Sequence, residues 1–275
     1  MANAEAADLT GEHLRWFDRW LRGDHNGVED DRAVEIFVMG VDQWREEDDW
    51  PFPGTRYRNY NLHSGGRANS SGGDGSLSTE EPLDEPEDVF RYDPHNPVPT
   101  VGGATLLGDA TNVGPRDQRE VEAREDVLCY TTLPLECAIE VTGPVQLVLY
   151  ASSSARDTDF TGKVVDVYPD GRAENLTDRI LRTRYRESFT KPEHMQLGKV
   201  YELRVNLWAT SNVFLPRHRI RLEVSSSDFP RFDRNTNTGG NIFDESEADF
   251  VRATNRIYHS SSYPSRLLLP IIERG

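Results

Sequence analysis

Serine and histidine side chains are the first residues of this sequence to consider for chemistry, because together they can build a nucleophilic hydrolase centre. Serine clusters occupy residues 152–154, 225–227 and 260–262, and seven histidines are scattered along the chain. A serine nucleophile on a tight strand-to-helix turn usually sits in Gly-x-Ser-x-Gly, and no such pentapeptide occurs. Each histidine stands without a recognisable acidic partner in sequence. We therefore predict no catalytic residues, and serine hydroxyls that satisfy local backbone groups.

Acidic residues form a second group of candidates. Asp157, Asp159, Asp166 and Asp170 could suggest a calcium loop, but the EF-hand spacing and its terminal glutamate are missing. Strand alternation instead places Asp157 and Asp159 on one face. This favours a structural role near a strand end over a metal site.

The segment NTNTGG at residues 235–240 could be a ligand-binding loop. Asn and Gly also tolerate a positive φ, so a tight irregular turn is the simpler interpretation. Arg231, Asp233, Arg234 and Asn235 are predicted to form a structural network of ion pairs and hydrogen bonds around this loop, together with the two aspartates at 157 and 159. Neither a metal nor another cofactor is expected.

The charge balance limits the possible partners. The 275 residues include 47 acidic and 31 basic side chains, for a formal net charge of −16, and only three of the basic residues are lysines. A GC-rich genome that favours arginine codons would explain this balance, and so would adaptation to high salt, which screens self-repulsion. Nucleic acid is not an expected partner, because there is no net basic surface to displace counterions from phosphates.

The apolar and cysteine patterns indicate a soluble protein. No apolar run approaches the roughly 18 residues needed to span a membrane, and the acidic N-terminus lacks the apolar core of a signal peptide. A cytoplasmic location without a membrane partner is therefore expected. Cys129 and Cys137 lack zinc spacing, so both are interpreted as small apolar core residues, with a disulfide as the alternative.

Short alternating segments must position these candidates. Residues 10–22 predict one helix, with Thr10 as its N-cap and Gly23 at its C-terminal end. Gly143 and Pro144 are interpreted as a turn, and residues 169–171 as another. Many short strands separated by turns indicate an all-β antiparallel sandwich. The predicted strands are residues 34–39, 146–151, 161–168, 172–185, 200–208, 220–224 and 266–272.

Two long stretches carry few strand signals. Residues 64–100 contain repeated glycines and prolines, and residues 228–249 are rich in Asn, Asp and Gly. Such stretches are uncommon in a compact domain unless they are ordered for a purpose or disordered. Both are expected to be loops.

Several long blocks of this sequence resemble the C-terminal β domain of the cocaine esterase / X-Pro dipeptidyl-peptidase family of serine hydrolases. The strongest blocks are VTGPV at residues 141–145, SSSARDTDF at 152–160 and VSSSDFPRFDRNTNTG at 224–239. Other blocks match in the same order along nearly the whole chain, among them FVMGVDQWR at 37–45 and LWATSNVFL at 207–215.

The resemblance implies a jelly-roll-like β sandwich with long wrapping loops at residues 34–275. Residues 1–33 would then be a remnant helix and acidic connector of a hydrolase domain. Members of the family carry their catalytic Ser, Asp and His on a preceding α/β-hydrolase domain, so the chain by itself is predicted to be inactive. That preceding domain is expected to be a separate chain or to be lost by frameshift or trimming.

The same resemblance assigns one loop to the substrate cleft. By the matching frame, residues 104–113 would bring Leu106 and Leu107 to the edge of an acyl pocket. Both leucines could equally be sandwich core. Gly108 departs from the aromatic residue expected at the next position of aromatic-ester hydrolases.

Three hypotheses follow. The first is an accessory β domain that completes the substrate cleft of a serine hydrolase and stabilises its catalytic domain or chain. The second is a free-standing carbohydrate- or ligand-binding module with Trp44, Trp50 and Trp208 as its platform, although these tryptophans lie in family blocks and are expected to be packed. The third is a self-associating structural protein, because an apolar surface made to face a hydrolase domain favours association, and a homo-oligomer is predicted.

Overall fold

Strands are the main regular secondary structure of this protein. The computed structural model describes residues 7–105 and 112–273. Within them the α-helices are α1 (Leu9–Phe17), which a π-helical turn (Asp18–Arg22) extends, and α2 (Arg119–Glu122). Within the same ranges, four 3-10 turns lie at Val28–Asp30, Thr183–Tyr185, Ile242–Asp244 and Glu247–Asp249. The strands are β1 (Val34–Val38), β2 (Gln43–Glu47), β3 (Arg56–His63), β4 (Ser76–Ser78), β5 (Asp88–Tyr92), β6 (Leu128–Thr131), β7 (Ile139–Ser153), β8 (Asp159–Val167), β9 (Ala173–Arg182), β10 (Tyr201–Phe214), β11 (Arg219–Ser225), β12 (Ala253–Ser260), β13 (Tyr263–Pro264) and β14 (Arg266–Ile272).

The long strand β7 is the centre of the fold. It pairs antiparallel with β10 on one side, and with β14 and then β12 on the other. From β14 the connected sheet continues through β3, β4, β6, β11 and β8 to β9, and it folds over so that β9 lies beside β10. The predicted all-β class and antiparallel sandwich are therefore confirmed, while the jelly-roll-like strand order stays a prediction.

One large apolar cluster fills the space between the two layers. It draws side chains from both layers because successive residues of each strand point to opposite faces of the sheet. Burying one such aliphatic or aromatic side chain stabilises the fold by about 1.5–3 kcal/mol. Its fully buried members include Leu62, Leu128, Leu147, Leu149, Phe160, Leu203, Leu207, Phe214, Ile220, Leu222 and Leu267.

The predicted turn at Gly143 and Pro144 is wrong, because β7 continues through both residues. A Cβ at Gly143 would lie 3.0 Å from the Cβ of Pro270, so the glycine lets β14 approach β7 closely. Pro144 cannot donate a ladder hydrogen bond. Opposite it, the register of β10 shifts between Asn206 and Ala209, and this bulge accommodates the missing donor.

The other predicted turn, at residues 169–171, is confirmed and joins β8 to β9. Within it the backbone N–H of Gly171 donates to the carbonyl of Tyr168, and the N–H of Tyr168 donates to that of Arg172. β9 then pairs antiparallel with β8 along its whole length. The predicted loop of residues 64–100 differs from expectation because it contains the short strands β4 and β5.

The N-terminal helix forms as predicted, but with a different cap. The Asp8 carboxylate, rather than the Thr10 hydroxyl, accepts the backbone N–H of Gly11 at 2.9 Å. Gly23 closes the π-helical turn with a φ of 79°, a left-handed conformation that glycine adopts without strain. No residue of α1 or of this turn is buried.

The hairpin of β1 and β2 lies between this helix and the sandwich. It is attached to β10 at Met39, whose N–H donates to the carbonyl of Ser211 at 3.0 Å and whose carbonyl accepts the N–H of Val213 at 2.9 Å. Gly40 follows with a φ of 83°, and a Cβ there would clash with the Val213 carbonyl. The sequence Met-Gly therefore fixes where the hairpin meets the sandwich edge.

The two cysteines lie in different environments, and both are free. Cys129 packs in a small apolar cluster with Val98, Val121 and Val127, and burial raises the pKa of its thiol. Cys137 is exposed, so the predicted core position is wrong for this residue. Cys137 lies beyond the end of β6 at Thr131, so the strand's alternation of buried and exposed side chains does not extend to it.

Candidate functional site

The hydroxyls of the first two serine clusters bond to local polar groups. Ser153 Oγ accepts the backbone N–H of Ala155 at 3.0 Å, and Ser227 Oγ accepts that of Val98 at 2.8 Å. Ser226 Oγ accepts a side-chain N–H of Asn255 at 2.8 Å. These contacts order the ends of β7 and β11, which is a structural use of the hydroxyl group.

Several histidines have acidic partners, contrary to the prediction that each stands alone. His259 is fully buried between two carboxylates, with Nε2 2.9 Å from Asp88 and Nδ1 3.2 Å from Glu85. His218 Nδ1 lies 2.8 Å from Asp166. The prediction was wrong because these partners are distant in sequence: His259 and Asp88 are 171 residues apart.

The carboxylate of Asp88 is the centre of the largest of these clusters. It accepts hydrogen bonds from the Tyr130 hydroxyl, the Ser64 hydroxyl and the backbone N–H of Ala68, each at 2.8 Å. Burial alone would raise the pKa of Asp88, but these donors and His259 lower it. Burial likewise disfavours the charged imidazole, yet the two carboxylates raise the pKa of His259.

One chain of contacts has the order of a catalytic triad. Ser78 Oγ lies 3.1 Å from His63 Nε2, and His63 Nδ1 lies 2.8 Å from Glu85. Two features distinguish it from a working triad. His63 Nε2 also lies 3.2 Å from the carbonyl oxygen of Glu80, which requires a donor and not a base at that nitrogen. Ser78 Oγ also accepts the backbone N–H of Glu80 at 3.2 Å, so this hydroxyl is used in a local turn.

The predicted aspartates converge on Asn235. Its side-chain amide donates to Asp157 at 2.8 Å and to Asp159 at 2.7 Å. Arg184 Nε donates to Asp157 at 2.8 Å, and Arg182 binds Asp159 through two nitrogens at 2.9 and 3.0 Å. Burial raises the pKa of Asp159 to about 6, against the opposing effect of Arg182 and Asn235. The backbone N–H of Arg184 donates to the other oxygen of Asp157 at 2.8 Å. Every carboxylate oxygen of Asp157 and Asp159 in this Asn235 network therefore accepts a hydrogen bond, and the two carboxylates leave no open position for a ligand.

The other residues of the predicted loop network do not bind one another. Arg231 pairs with Asp178 on β9, and Asp233 accepts a hydrogen bond from Arg182 at 2.8 Å. Arg234 stacks on two aromatic rings, with its guanidinium carbon 5.2 Å from the centroid of Phe229 and 5.0 Å from that of Phe250. Each of these side chains ties the loop to other parts of the sandwich.

Sequence reasoning missed Arg182 and Arg184, whose only signal was the arginine-rich segment LRTRYR at residues 181–186.

The loop assigned to the substrate cleft has an ordered base. Leu106 and Leu107 lie outside the described residues, but the residues on both sides of them are described. Gly103 and Gly114 exchange two backbone hydrogen bonds, at 2.8 and 3.0 Å. Asn112 fixes the same base by accepting the N–H of Gly102 at 2.7 Å and donating to the carbonyl of Thr100 at 3.1 Å. The sandwich thus fixes both ends of this loop.

The N-terminal apolar surface, defined as Leu14, Trp16, Phe17, Trp20 and Leu21, is exposed to solvent. Its side chains are 50–78% exposed, and the Trp16 and Trp20 rings lie 5.7 Å apart. Charged contacts hold the helix to its own connector: Arg15 pairs with Asp31 at 2.5 Å. Apolar side chains of this size are normally buried against a neighbour.

Two grooves extend this surface towards the sandwich through Trp44. A groove of about 830 Å³ separates the start of α1 from the hairpin, and one of about 540 Å³ separates the hairpin from the sandwich edge. Trp44 lines both grooves and is 40% exposed. Trp50 and Trp208 are also exposed, by 37% and 60%, so the expectation that these tryptophans are packed is wrong.

The described residues offer no cluster of three or more His, Cys, Asp or Glu side chains arranged to hold a metal ion. In the same part of the chain, the helices are too short and too polar to cross a bilayer.

An antiparallel β sandwich whose serine and carboxylate side chains are used for its own order has the properties of a non-catalytic β domain. The chain belongs to the family of X-Pro dipeptidyl-peptidase C-terminal non-catalytic domains, whose family model matches residues 26–268. The resemblance inferred from the sequence blocks is therefore confirmed.

The similar proteins are longer enzymes. The cocaine esterase of Rhodococcus sp. (strain MB1 Bresler) is 49% identical over 267 residues, which are 97% of this chain and 46% of that protein. A solved aminopeptidase from the marine sediment archaeon Thaumarchaeota archaeon has a TM-score of 0.82 and 31% identity, over 95% of this chain and 43% of that one. A solved α-amino acid ester hydrolase has a TM-score of 0.81 and 30% identity, over 94% of this chain and 44% of that one. The chain thus spans less than half the length of these relatives.

Proposed function

We propose that this chain is the accessory β domain of a serine hydrolase and that it docks on the catalytic part through its N-terminal apolar surface. The complete enzyme would hydrolyse an acyl ester or an X-Pro peptide bond. The observation that carries the proposal is the exposure of this surface on a helix that has no buried residue. Burying it against a partner would remove several large apolar side chains from water.

Trp44 extends the proposed interface. It lines both grooves beside the helix, so a partner that covers α1 would also contact the hairpin and the edge of β10. Core aromatic residues of this kind are the usual anchors of stable interfaces.

The second part of the proposal concerns the cleft. The fixed base between Gly103 and Gly114 would present the loop of residues 104–113, with Leu106 and Leu107, to the substrate bound by the catalytic part. An enzyme gains rate from groups held in place before the substrate arrives, which favours a loop with a rigid base.

The first experiment tests the chain by itself. The purified protein is assayed in molar salt with a short-chain p-nitrophenyl ester and an X-Pro p-nitroanilide, with a fluorophosphonate as serine label. We expect neither turnover nor labelling. Turnover with a labelled serine would overturn the proposal, and loss of the label in Ser78→Ala would identify the nucleophile.

The second experiment tests docking. The part of the Rhodococcus cocaine esterase outside the matched 267 residues is mixed with this chain, and complex formation is followed by light scattering and ester hydrolysis. We expect a complex that Trp16→Glu with Trp20→Glu abolishes. Phe243→Glu is the matched control, because Phe243 is 93% exposed and lies outside the N-terminal apolar surface. A complex unaffected by the helix variant would contradict the proposed interface.

A further inference from the structure

Trp208 has an unusual backbone and an unusual exposure. Its φ is 71°, in the left-handed region that bulky residues avoid, and its side chain is 60% exposed. It lies in the bulge of β10, where the register against β7 shifts between Asn206 and Ala209. Bulges re-aim side chains, and strained backbone collects at ligand-binding positions. The bulge that accommodates Pro144 therefore also turns the Trp208 side chain out towards solvent.

Arg179 on β9 stacks on the Trp208 ring, with its guanidinium carbon 3.6 Å from the ring centroid. Within residues 7–105 and 112–273, its side chain has no ion-pair or hydrogen-bond partner, although the chain carries a net charge of −16. The neighbouring arginines are paired: Arg204 with Glu202 at 2.5 Å, and Arg231 with Asp178. Burial and the nearby Arg231 lower the pKa of Arg179, against the opposing effect of Asp178, which pairs with Arg231.

A hollow of about 330 Å³ borders this pair, at the lower end of the size range of small-ligand sites. The Arg179 guanidinium lies at the border of this hollow, next to its apolar residues. Stacking on a ring uses only the face of an arginine, so its N–H groups stay available for hydrogen bonds. The other residues that line it are Ile180, Leu181, Phe189, Arg204, Val205 and Asn206.

We propose that Trp208 and Arg179 form a binding site for a small amphipathic carboxylate. The carboxylate would accept two hydrogen bonds from the Arg179 guanidinium, and the apolar body would lie against Trp208, Ile180 and Phe189. One free guanidinium balances a single negative charge. This fits a carboxylate better than a phosphate group, which carries about −1.5 to −2 charges.

The test is calorimetric titration of the full chain at pH 7 with 3-phenylpropionate, with its neutral amide and with acetate. We expect 3-phenylpropionate to bind at least about tenfold more tightly than the amide, because only the acid forms charge-assisted hydrogen bonds. Acetate should bind at least about tenfold more weakly than 3-phenylpropionate, because it has no apolar body to bury. Equal affinities for the acid and the amide would overturn the carboxylate site, and equal affinities for the acid and acetate would overturn its amphipathic character.

Variants then assign the residues. Arg179→Met keeps the contact with the ring and removes the charge, so it should weaken acid binding by at least about tenfold and leave the amide unchanged. Arg252→Met is the matched control and should change the affinity less than about twofold, since Arg252 is exposed, pairs with Asp93 and does not line the hollow.

Trp208→Gly separates binding from folding. It should abolish binding without lowering the melting temperature, because glycine adopts this φ without strain. Trp44→Ala should leave binding unchanged. Retained binding in Arg179→Met or in Trp208→Gly would overturn the assignment.

Discussion

The Asn235 network and the N-terminal helix differ in whether their side chains have the surroundings that they require. In the network, Asp157 and Asp159 are buried but each carboxylate oxygen accepts a hydrogen bond. In the helix, large apolar side chains face solvent and no residue is buried. The carboxylates of the network are therefore satisfied within the sandwich, whereas the helix carries a surface whose burial requires a partner. The three predictions below test this contrast.

The largest effect is expected from a change that breaks the Asn235 network. Arg184→Ala should lower the free energy of unfolding by about 3–5 kcal/mol, because it leaves the buried Asp157 without its charged partner. Urea unfolding followed by circular dichroism measures this change. Arg22→Ala is the control: it removes an exposed ion pair with Asp18 in the helix segment and should cost less than about 1 kcal/mol. Equal costs for both variants would refute the contrast.

A smaller effect, with a distinct pH signature, is expected at the Asp88 cluster. His259→Gln should cost about 2 kcal/mol near pH 6, because it removes a charged donor from the buried Asp88 carboxylate. The folded pKa of His259 is raised, so its contribution is complete below the unfolded value of about 6.5. That contribution is lost as the pH rises through the folded pKa.

Wild-type stability should therefore decline across that alkaline window, and His259→Gln should lack the decline. At acid pH the change has the opposite direction, and stability should fall as the pH is lowered. The folded pKa values of Asp88 and Glu85 are lowered, so their contribution is present above the unfolded values and is lost as the pH falls through the folded ones. Unfolding curves from pH 3 to pH 9 measure both limbs, with the exposed His13→Gln as control. An unchanged alkaline limb in His259→Gln would argue against a charged His259.

The smallest effect on stability is expected in the exposed helix. Trp16→Glu with Trp20→Glu should change the free energy of unfolding by less than about 0.5 kcal/mol, because both rings already face solvent. Phe160→Ala, which empties a fully buried position, should cost about 3–5 kcal/mol in the same assay. A large loss in the helix variant would mean that the sandwich depends on contacts with α1.

Local alternation was enough to predict β1, β7, β8, β9, β10, β11 and β14, but it missed the other seven strands of the described residues. The predicted segment 266–272 coincides with β14, and the predicted strand 172–185 contains β9 but extends three residues beyond its end. The prediction for β10 ended six residues early, at 208, because the bulge at Trp208 interrupts the period of two. Gly143 and Pro144 resemble a turn in any short window. Only the pairing of β7 with two neighbours, which is not local, keeps them extended.

The candidate sites were less predictable for the same reason. Alternation correctly placed Asp157 and Asp159 near each other, but their partners Arg182 and Arg184 come from the register of the next hairpin. The pairing of His259 with Asp88 depends on strands β5 and β12, which are neighbours in the sheet and far apart in sequence. The exposure of Trp44, Trp50 and Trp208 could not be predicted from the sequence blocks that resemble the family. A residue in such a block can pack within the domain or contact a partner outside it.

The position of β14 has a consequence for synthesis of the protein. β14 is the last strand of the described chain, yet it lies in the middle of the sheet between β3 and β7. Until it leaves the ribosome, both of those strands expose unpaired backbone groups, which are templates for aggregation. Closing such distant pairs is slow relative to local helix formation. The nascent sandwich therefore stays unfinished until residue 272 has emerged, and the edges of β3 and β7 that face β14 stay open to wrong pairing until then.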